Sequence, residues 1–229
     1  MAEFDQFADA YEADLNQALA ATGEDKDYFA RGRVSFLARC LQDLQETPES
    51  AMDYGCGIGG TTALLRELVG VRLVAGLDVS ERSLEMAEKQ YGCEAIRFYS
   101  FVQYEASANL DLAYCNGVFH HIPTRERSSA VQYVYSSLRP RGLFAFWENN
   151  PWNPGTRHCM AKCVFDRDAV TLSPPEAKRL LRGAGFEIVR TDFLFYFPRT
   201  LKALRFTEPI LRQLPLGAQY QILCRRPAS

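Results

Sequence analysis

The chain has 229 residues and a net charge of −2 at pH 7, and 47% of its residues are hydrophobic while 24% are charged. This length fits one large domain or one domain with an appendage, and it excludes a small disulfide scaffold. The near-neutral charge argues against nucleic-acid binding. No apolar run approaches the roughly 20 residues of a membrane helix, and the acidic N-terminus is unlike a secretory signal. The 7 cysteines form no CxxC pair and suit a reducing compartment, so we expect a cytoplasmic protein.

Apolar side chains at steps of three and four predict helices over about the first 45 residues. Two series carry this pattern: Phe4, Phe7, Tyr11 and Leu15, then Phe29, Phe36, Leu37, Leu41 and Leu44. A Gly-Glu-Asp turn at 23–25 separates them. We expect residues 1–47 to form an N-terminal helical cap.

From residue 50 onward, short apolar runs alternate with helical segments, which is typical of βαβ units and a parallel sheet. Predicted strands lie at about 50–54, 72–77, 95–99, 110–115 and 143–147. Predicted helices cover residues 61–69, a segment opened by Ser80, and about 125–138. We expect one α/β domain over residues 48–229.

The C-terminal part predicts one more helix and two strands. Ser-Pro-Pro-Glu at 173–176 is a capping box that starts the helix, and strands at 186–195 and 219–224 form an antiparallel hairpin. Residues 197–217 between them form an insertion, whose basic and apolar side chains from Arg199 to Leu216 predict an amphipathic helix. Four roles stay open for it: a lid over an apolar acceptor, a dimer interface, peripheral contact with a membrane, or ordinary core packing.

A glycine-rich turn joins the first predicted strand to the first helix of the sheet domain, with the sequence Asp53-Tyr54-Gly55-Cys56-Gly57-Ile58-Gly59-Gly60. Glycines there permit positive φ and let a ligand approach the backbone closely. The turn also satisfies GxGxxG, and with Asp78 downstream it keeps a nicotinamide-dependent oxidoreductase open. Asp53 argues against that alternative, because its carboxylate would repel a pyrophosphate and attract the ammonium group of a bound amino acid.

Three further segments follow in order along the chain. They are Gly76-Leu77-Asp78-Val79-Ser80 at the second strand, Leu110–Asn116 with Val118–Pro123 at the fourth, and Leu138-Arg139-Pro140-Arg141-Gly142 before the fifth. Together with the glycine turn they resemble the class I S-adenosylmethionine-dependent methyltransferases over about residues 48–225. The resemblance implies an α/β, Rossmann-like fold: a seven-stranded, mostly parallel sheet with helices on both faces and a final antiparallel hairpin.

The resemblance also implies a binding site for S-adenosylmethionine. Its expected contacts are Asp53, Gly55, Cys56, Gly57, Gly59, Thr61, Asp78, Val79, Cys115 and Asn116. Asp53 and the glycines would face the methionine portion, Asp78 would accept both ribose hydroxyls, and Val79 would flank the adenine.

The N-terminal cap and the segment after the third strand are two further places where contacts with the cofactor are expected. In similar enzymes a cap tyrosine or arginine reaches the cofactor carboxylate, and Tyr11 with Arg33 or Arg31 are the candidates here. The family often places an acidic residue against the adenine amine after the third strand. This chain has Phe-Tyr-Ser-Phe-Val-Gln at 98–103 instead, so that contact must differ.

Methyl transfer needs alignment of the acceptor and, for an alcohol, removal of its proton. His120 and His121 follow the fourth strand and Glu148 ends the fifth, at the sheet edge where ligands bind. His121 is our first candidate for the general base, and Glu148 and His120 are the others, each with a structural role as the alternative. The nearby group His158, Cys159 and Cys163 is one ligand short of a structural metal site, so we predict no metal.

These patterns predict an S-adenosylmethionine-dependent methyltransferase that acts on a small molecule. Oxygen is the atom that we expect to be methylated first of all, and S-adenosylhomocysteine is the expected second product. An apolar or aromatic acceptor is expected from the aromatic segment Phe193, Phe195, Tyr196 and Phe197. Two alternatives remain beside it: the oxidoreductase, and a methyltransferase-like module that binds the cofactor without turnover. The chain is expected to be a monomer or a homodimer.

Overall fold

The computed structural model describes the backbone of residues 11–228 and the side chains of residues 14–228. Within this span seven strands form one sheet: β1 (Ser50–Tyr54), β2 (Leu73–Asp78), β3 (Ile96–Ser100), β4 (Leu110–Asn116), β5 (Leu138–Asn149), β6 (Glu187–Leu194) and β7 (Gln219–Arg225). Their spatial order is β3-β2-β1-β4-β5-β7-β6. Strands β1 to β5 pair in parallel, and β7 runs antiparallel to both β5 and β6. The predicted sheet and its final hairpin are confirmed.

In the same described span the α-helices are α1 (Tyr11–Leu19), α2 (Lys26–Asp43), α3 (Gly60–Leu64), α4 (Glu81–Tyr91), α5 (Arg127–Ser137), α6 (Pro154–Lys162), α7 (Pro174–Gly183) and α8 (Glu208–Leu211). A π-helical turn at Leu65–Val69 extends α3, and 3₁₀ segments lie at Ala20–Thr22, Val164–Asp166 and Arg199–Thr207. Across residues 11–228 no helix combines the length and the apolarity needed to span a bilayer.

Each face of the sheet buries its own hydrophobic core, because alternate strand residues point to opposite faces. On β4, Ala113 and Cys115 belong to one core, while Leu112 and Tyr114 belong to the other. Helices α5 and α7 contribute to the first core, and α2 contributes to the second. Because helices cover both faces of the sheet, its strands carry apolar side chains on both sides. The sequence therefore shows these strands as near-continuous apolar runs.

Helix α2 is part of this core and not only a cover for the cleft. Its Val34, Leu37 and Leu41 are at most 2% exposed, and the ring of Phe36 meets Trp147 edge-on with centroids 6.0 Å apart. Burial of one such side chain stabilises a fold by roughly 1.5–3 kcal/mol. The division of the chain at residue 47 stays a prediction.

The connection between β6 and β7 differs from the single amphipathic helix that the sequence predicts. A 3₁₀ segment with a kink at Leu201 leads into the four-residue α8. Pro209 and Pro215 explain this, since proline fits a first helical turn but interrupts a helix that continues through it. Phe206 and Ile210 are 79% and 84% exposed, so ordinary core packing does not account for this insertion.

Helix α6 is absent from the sequence-based prediction. Asn153 caps it by accepting a hydrogen bond from the Thr156 N–H at 2.9 Å, and Pro154 stands at its first position. Asparagine followed by proline is a known helix-start signal. The signal is weak here because the helix buries only Thr156 and therefore carries no apolar stripe.

Candidate active site

A cleft of about 1150 Å³ opens at the carboxyl edge of the sheet, where Asp53 of β1, Asp78 of β2 and Asn116 of β4 line it. Further lining residues come from α1, α2 and α6 and from the connection between β6 and β7. Parallel α/β sheets bind ligands at this edge. Sites for one drug-sized ligand measure roughly 300–1,000 Å³, so this cleft has room for two ligands side by side.

The glycine loop after β1 takes a backbone path that only glycine adopts easily. Gly55, Gly57 and Gly59 have φ angles of 74°, 54° and 84°. The Gly55 N–H donates to the Leu77 carbonyl at 2.7 Å, which ties the loop to β2. A Cβ on Gly59 would lie 2.7 Å from Phe98, whereas a Cβ on Gly57 would meet no atom within 4 Å. Gly59 is therefore needed for packing, and Gly57 borders the open space of the cleft.

Asp78 fixes the same loop from the end of β2. Its Oδ2 accepts a hydrogen bond from the Gly57 N–H at 2.8 Å, and its Oδ1 accepts one from the Ser80 N–H at 2.9 Å. Asp78 therefore ties the loop to β2, and it also lines the cleft.

Asp53 is a buried acid at the end of β1. It is 2% exposed, and the Thr62 hydroxyl donates to its Oδ2 at 2.7 Å. Burial raises the pKa of the Asp53 carboxyl to about 7. The Thr62 hydrogen bond and the charge of Arg33 partly offset this rise, and the charge of Asp78 adds to it. A cationic ligand group would favour its ionised form.

The other residues expected at the cofactor divide into two groups. Cys56, Thr61, Val79 and Asn116 line the cleft, and Val79 is 57% exposed there. The Oδ1 of Asn116 is buried without a hydrogen-bond partner among the described residues. Cys115 differs from the prediction, because its side chain is fully buried in the core beside β5 and does not reach the cleft.

The two cap arginines, between which the sequence left the choice open, have different surroundings. Arg33 is 7% exposed, and its guanidinium donates to the Tyr114 hydroxyl at 3.2 Å and to the Gln219 Oε1 at 2.9 Å. Arg31 forms a surface ion pair with Glu67 at 3.0 Å. Arg33 is therefore the inner arginine, and it lines the cleft.

Two histidines and two carboxylates form a connected cluster in the cleft wall. The His120 Nδ1 lies 2.6 Å from the Glu148 Oε2. The Asp166 Oδ1 lies 3.4 Å from the His120 Nε2 and 3.3 Å from the His121 Nε2. Both histidines and Asp166 line the cleft, and the two rings have centroids 4.1 Å apart.

The charges in this cluster decide which member can take a proton. Burial alone would lower the pKa of His120, but the Glu148 and Asp166 carboxylates raise it to about 10. Burial opposes the ionisation of Asp166, but hydrogen bonds from His120 and His121 lower its pKa to about 2. At neutral pH His120 is protonated, so it does not fit the predicted alternative role of a base.

Glu148 does not fit that role either. It is 1% exposed, and its Oε1 accepts a hydrogen bond from the Phe119 N–H at 2.8 Å. Its Oε2 contacts the His120 ring and the Asn149 N–H. With both oxygens engaged away from the cleft, Glu148 positions His120. Side chains alternate between the two faces along β5, so Glu148 lies on the same face as the core residue Phe146. The sequence alone could have indicated this orientation.

Thr62 and Asp166 are site residues that the sequence-based prediction missed. Thr62 is fully buried one position after the predicted contact Thr61, and it is the hydrogen-bond donor to Asp53. Asp166 lies in the 3₁₀ turn after α6, far along the chain from the histidines. The fold brings Asp166 beside the two histidines, and no local sequence pattern links it to them.

Aromatic side chains supply much of the remaining cleft wall. They are Tyr28, Phe29, Phe165, Phe195, Tyr196 and Phe197, with Met160 among them. Phe193, which the sequence groups with this set, instead packs against Tyr220 in the core and is 6% exposed. The wall available to an acceptor is therefore largely apolar.

The arginines and lysine described along the cleft are engaged by the chain itself. Arg205 pairs with Glu24 at 3.0 Å and lies over the Tyr28 ring at 4.7 Å from its centroid. Lys26 lies 3.7 Å from Asp27, and Arg31 and Arg33 have the partners given above. None of these four is a dedicated receptor for an anionic ligand.

The metal-ligating side chains of the described residues converge at a place that the sequence did not indicate. His158, Cys159 and Cys163 line the cleft. Among the described residues, however, the group whose donor atoms lie within 4.8 Å of one another is His120, His121 and Asp166. The sequence-based prediction of no metal considered only the first group.

Comparison with known proteins relates this site to known chemistry. A family model described as a methyltransferase domain matches residues 52–144, which contain the glycine loop, Asp78 and the histidine pair. A trans-aconitate 2-methyltransferase of Methylobacterium radiotolerans is 31% identical over 133 residues, which are 58% of this chain and 48% of that protein. The O-methyltransferase cnsE of Penicillium expansum is 26% identical, over 62% of this chain and 53% of that one. The chain spans about half the length of the curated relatives it matches.

Solved structures agree on the fold. An S-adenosylmethionine dependent methyltransferase from Mesorhizobium loti superposes with a TM-score of 0.59 at 20% identity, over 82% of this chain and 96% of that one. At this level of identity the likeness concerns the fold alone.

Proposed function

Because the chain belongs to the class I S-adenosylmethionine-dependent methyltransferases, we propose that it transfers the methyl group of S-adenosylmethionine to an oxygen of a small apolar or aromatic acceptor. S-adenosylhomocysteine is then the second product. The observation that carries the proposal is one continuous cleft, which joins the Asp53, Gly57 and Asp78 loop to an aromatic wall and to the histidine cluster.

The residues at the loop fit this cofactor. Asp53 is a buried acid that a ligand ammonium would satisfy, and the Asp78 carboxylate, which lines the cleft, is an acceptor of the type that binds ribose hydroxyls. Gly57 leaves open space that any Cβ would fill, and the Oδ1 of Asn116 can accept a further donor. When bound, the cofactor supplies an electrophilic methyl group on a sulfonium. The chain's task is then to hold and align the acceptor.

The cleft favours an uncharged acceptor over a polycarboxylate. One relative is named for trans-aconitate, an anion whose recognition calls for arginines that are free to form fork-shaped hydrogen bonds. Here Arg31, Arg33 and Arg205 have partners within the chain. The aromatic wall instead offers stacking and apolar contact, which supports a planar or apolar acceptor.

We propose His121 as the group that accepts the acceptor's hydroxyl proton. Its side chain is 16% exposed and lines the cleft, and Asp166 contacts its Nε2 at 3.3 Å. Asp166 would stabilise the imidazolium that forms when the proton arrives. In this proposal His120 and Glu148 are positioning residues, since the Glu148 carboxylate fixes the His120 ring that packs on His121.

We further propose that the N-terminal segment 1–47 acts as a cap on the cofactor. Leu15, Ala18 and Leu19 of α1 line the cleft, which supports this role. The side chain of Tyr11 lies outside the described residues, so its contact with the cofactor stays a prediction.

The test is calorimetric titration of the purified chain with S-adenosylmethionine, S-adenosylhomocysteine and NADH. Binding of both adenosyl ligands without NADH supports the proposal. NADH binding alone would favour the oxidoreductase alternative. Asp78→Asn is the test variant and the exposed Asp168→Asn is its matched control, and only the first should bind the adenosyl ligands more weakly.

A second experiment addresses the acceptor. Extract fractions and a panel of phenols and aliphatic alcohols are incubated with isotopically labelled S-adenosylmethionine, and label in an organic product is measured. Transfer to a phenol or alcohol supports O-methylation, while transfer only to amines or to carboxylates contradicts it. Cofactor binding without transfer to any compound would support the non-catalytic module.

A further inference from the structure

Three side chains with metal-binding donor atoms lie close together in the cleft wall. The Oδ1 of Asp166 lies 3.4 Å from the His120 Nε2 and 3.3 Å from the His121 Nε2, and each of the three residues offers a donor atom within 4.8 Å of the others. Donors about 2.1 Å from a zinc-like ion at tetrahedral angles lie about 3.4 Å apart. We propose that His120, His121 and Asp166 bind a divalent transition-metal ion, with a fourth coordination position open to the cleft.

The surroundings of His120 match those of a metal ligand. Its Nδ1 is held at 2.6 Å by the Glu148 carboxylate, which leaves the Nε2 directed toward Asp166. Glu148 is itself fixed by the N–H groups of Phe119 and Asn149. A histidine that ligates a metal almost always gives its other ring nitrogen to such a partner, which sets the tautomer and the ring orientation.

Charge and donor type narrow the choice of ion. Binding of the ion at the His120 Nε2 would release the proton from that nitrogen to solvent. With both imidazoles then neutral, the two negative charges of the Glu148 and Asp166 carboxylates are balanced by a divalent cation, so the largely buried cluster keeps no uncompensated charge. Two imidazoles and one carboxylate suit zinc, iron(II), cobalt or nickel, whereas magnesium and calcium prefer oxygen donors. All three ligands line the cleft, as in sites where a substrate completes the coordination.

The effect of the metal ion on catalysis rests on the proposed function, but the binding of the metal ion to the chain does not. An acceptor hydroxyl that enters the open position would lose its proton to solvent more readily beside the cation. The Nε2 lone pair of His121 would be committed to the metal, so His121 acts as the proposed proton acceptor only in the metal-free protein. Metal binding can therefore be tested without any acceptor.

The test uses the full chain without an affinity tag, stripped with a chelator, desalted and titrated with Co²⁺ under visible absorption. Asp166→Asn and His121→Gln remove proposed ligands. Their matched controls are Asp168→Asn, an exposed acid two positions along the chain, and His158→Gln, which removes the remaining one of the 3 histidines. Thermal unfolding and S-adenosylhomocysteine calorimetry verify that each variant is folded.

The expected result is saturation of the folded wild type at one equivalent of Co²⁺, with ligand-field bands of a nitrogen and oxygen site. Affinity should fall more than tenfold in Asp166→Asn and His121→Gln and stay unchanged in both controls. Glu148→Gln should weaken binding by about 10–100-fold, as loss of an outer partner does. The proposal is overturned if the folded wild type binds no Co²⁺, if Asp166→Asn and His121→Gln bind as wild type does, or if a thiolate spectrum shows the ion on Cys159 and Cys163. Failure of methyl transfer would leave the binding result intact.

Discussion

Replacement of Asp53 by asparagine should stabilise the ligand-free protein and weaken its cofactor binding. The substitution removes a charge but keeps the size of the side chain. It also keeps an oxygen that can accept the Thr62 hydroxyl, which now lies 2.7 Å from the carboxylate. The main change is therefore the removal of an ionisable group from a site that is 2% exposed.

The magnitude follows from the pKa of the carboxyl. Burial raises the pKa of Asp53 to about 7 in the folded chain, whereas its ordinary value is 3.8. Because the folded pKa is the higher one, this group stabilises the fold at low pH, and the contribution is lost as the pH rises toward 7. One pKa unit corresponds to about 1.4 kcal/mol, so the two units between pH 5 and pH 7 amount to roughly 3 kcal/mol.

The assay is urea unfolding of the wild type, Asp53→Asn and the exposed-site control Asp168→Asn at pH 5, 6, 7 and 8 without ligand. The free energy of unfolding of Asp53→Asn should gain about 3 kcal/mol over the wild type between pH 5 and pH 8. The control should follow the wild type throughout. A difference that is constant with pH would refute the reasoning, because it would mean that burial does not keep this carboxyl protonated.

The same variant separates stability from binding. Asparagine offers no charge to a ligand ammonium, so S-adenosylhomocysteine should bind Asp53→Asn more weakly by about 1–3 kcal/mol at pH 8. A more stable protein that binds less well cannot be explained by damage to the fold. Equal affinity would remove Asp53 from the proposed cofactor site.

Three other substitutions test the remaining parts of the site. Asp78→Ala should weaken S-adenosylhomocysteine binding by about 1–3 kcal/mol in calorimetry, and unchanged affinity would count against the ribose contact. Gly57→Val and Gly70→Val both place a side chain at positive φ, 54° and 83°, with no atom within 4 Å of the new Cβ. Each should cost about 1–3 kcal/mol of stability, but only Gly57→Val should abolish cofactor binding. His121→Gln should lower turnover about 10²-fold or more with cofactor affinity unchanged, whereas an equal loss in both would make His121 a structural residue.

The strands and the cofactor loop could be predicted because their signals are local. Burial on both faces forces apolar runs such as Leu110–Cys115, and the glycine turn needs residues that tolerate positive φ at fixed offsets. Asp78 follows from the same βαβ geometry, since a residue at the end of the second strand must lie beside the first loop. The chain order alone therefore brings these groups together.

The acid–base cluster could be predicted only in part, because the position of Asp166 depends on long-range structure. His120 and His121 follow a predicted strand. Asp166 lies in the 3₁₀ turn after α6, and this part of the chain shows no regular spacing of apolar residues from which its position could be predicted. The geometry of Glu148 weighs against its predicted role as a base for a different reason. Position at a strand end identifies the edge of the sheet but not the direction of the side chain, and the Glu148 side chain is buried.

The glycine loop also bears on how fast a ligand can be captured. Its backbone is held by the chain's own hydrogen bonds, from Gly57 to Asp78 and from Gly55 to Leu77. The loop therefore loses its conformational entropy when the chain folds, and association with a ligand does not carry that cost again. Association at this loop should follow a single kinetic phase whose rate rises in proportion to ligand concentration, without the plateau that a slow loop rearrangement would impose.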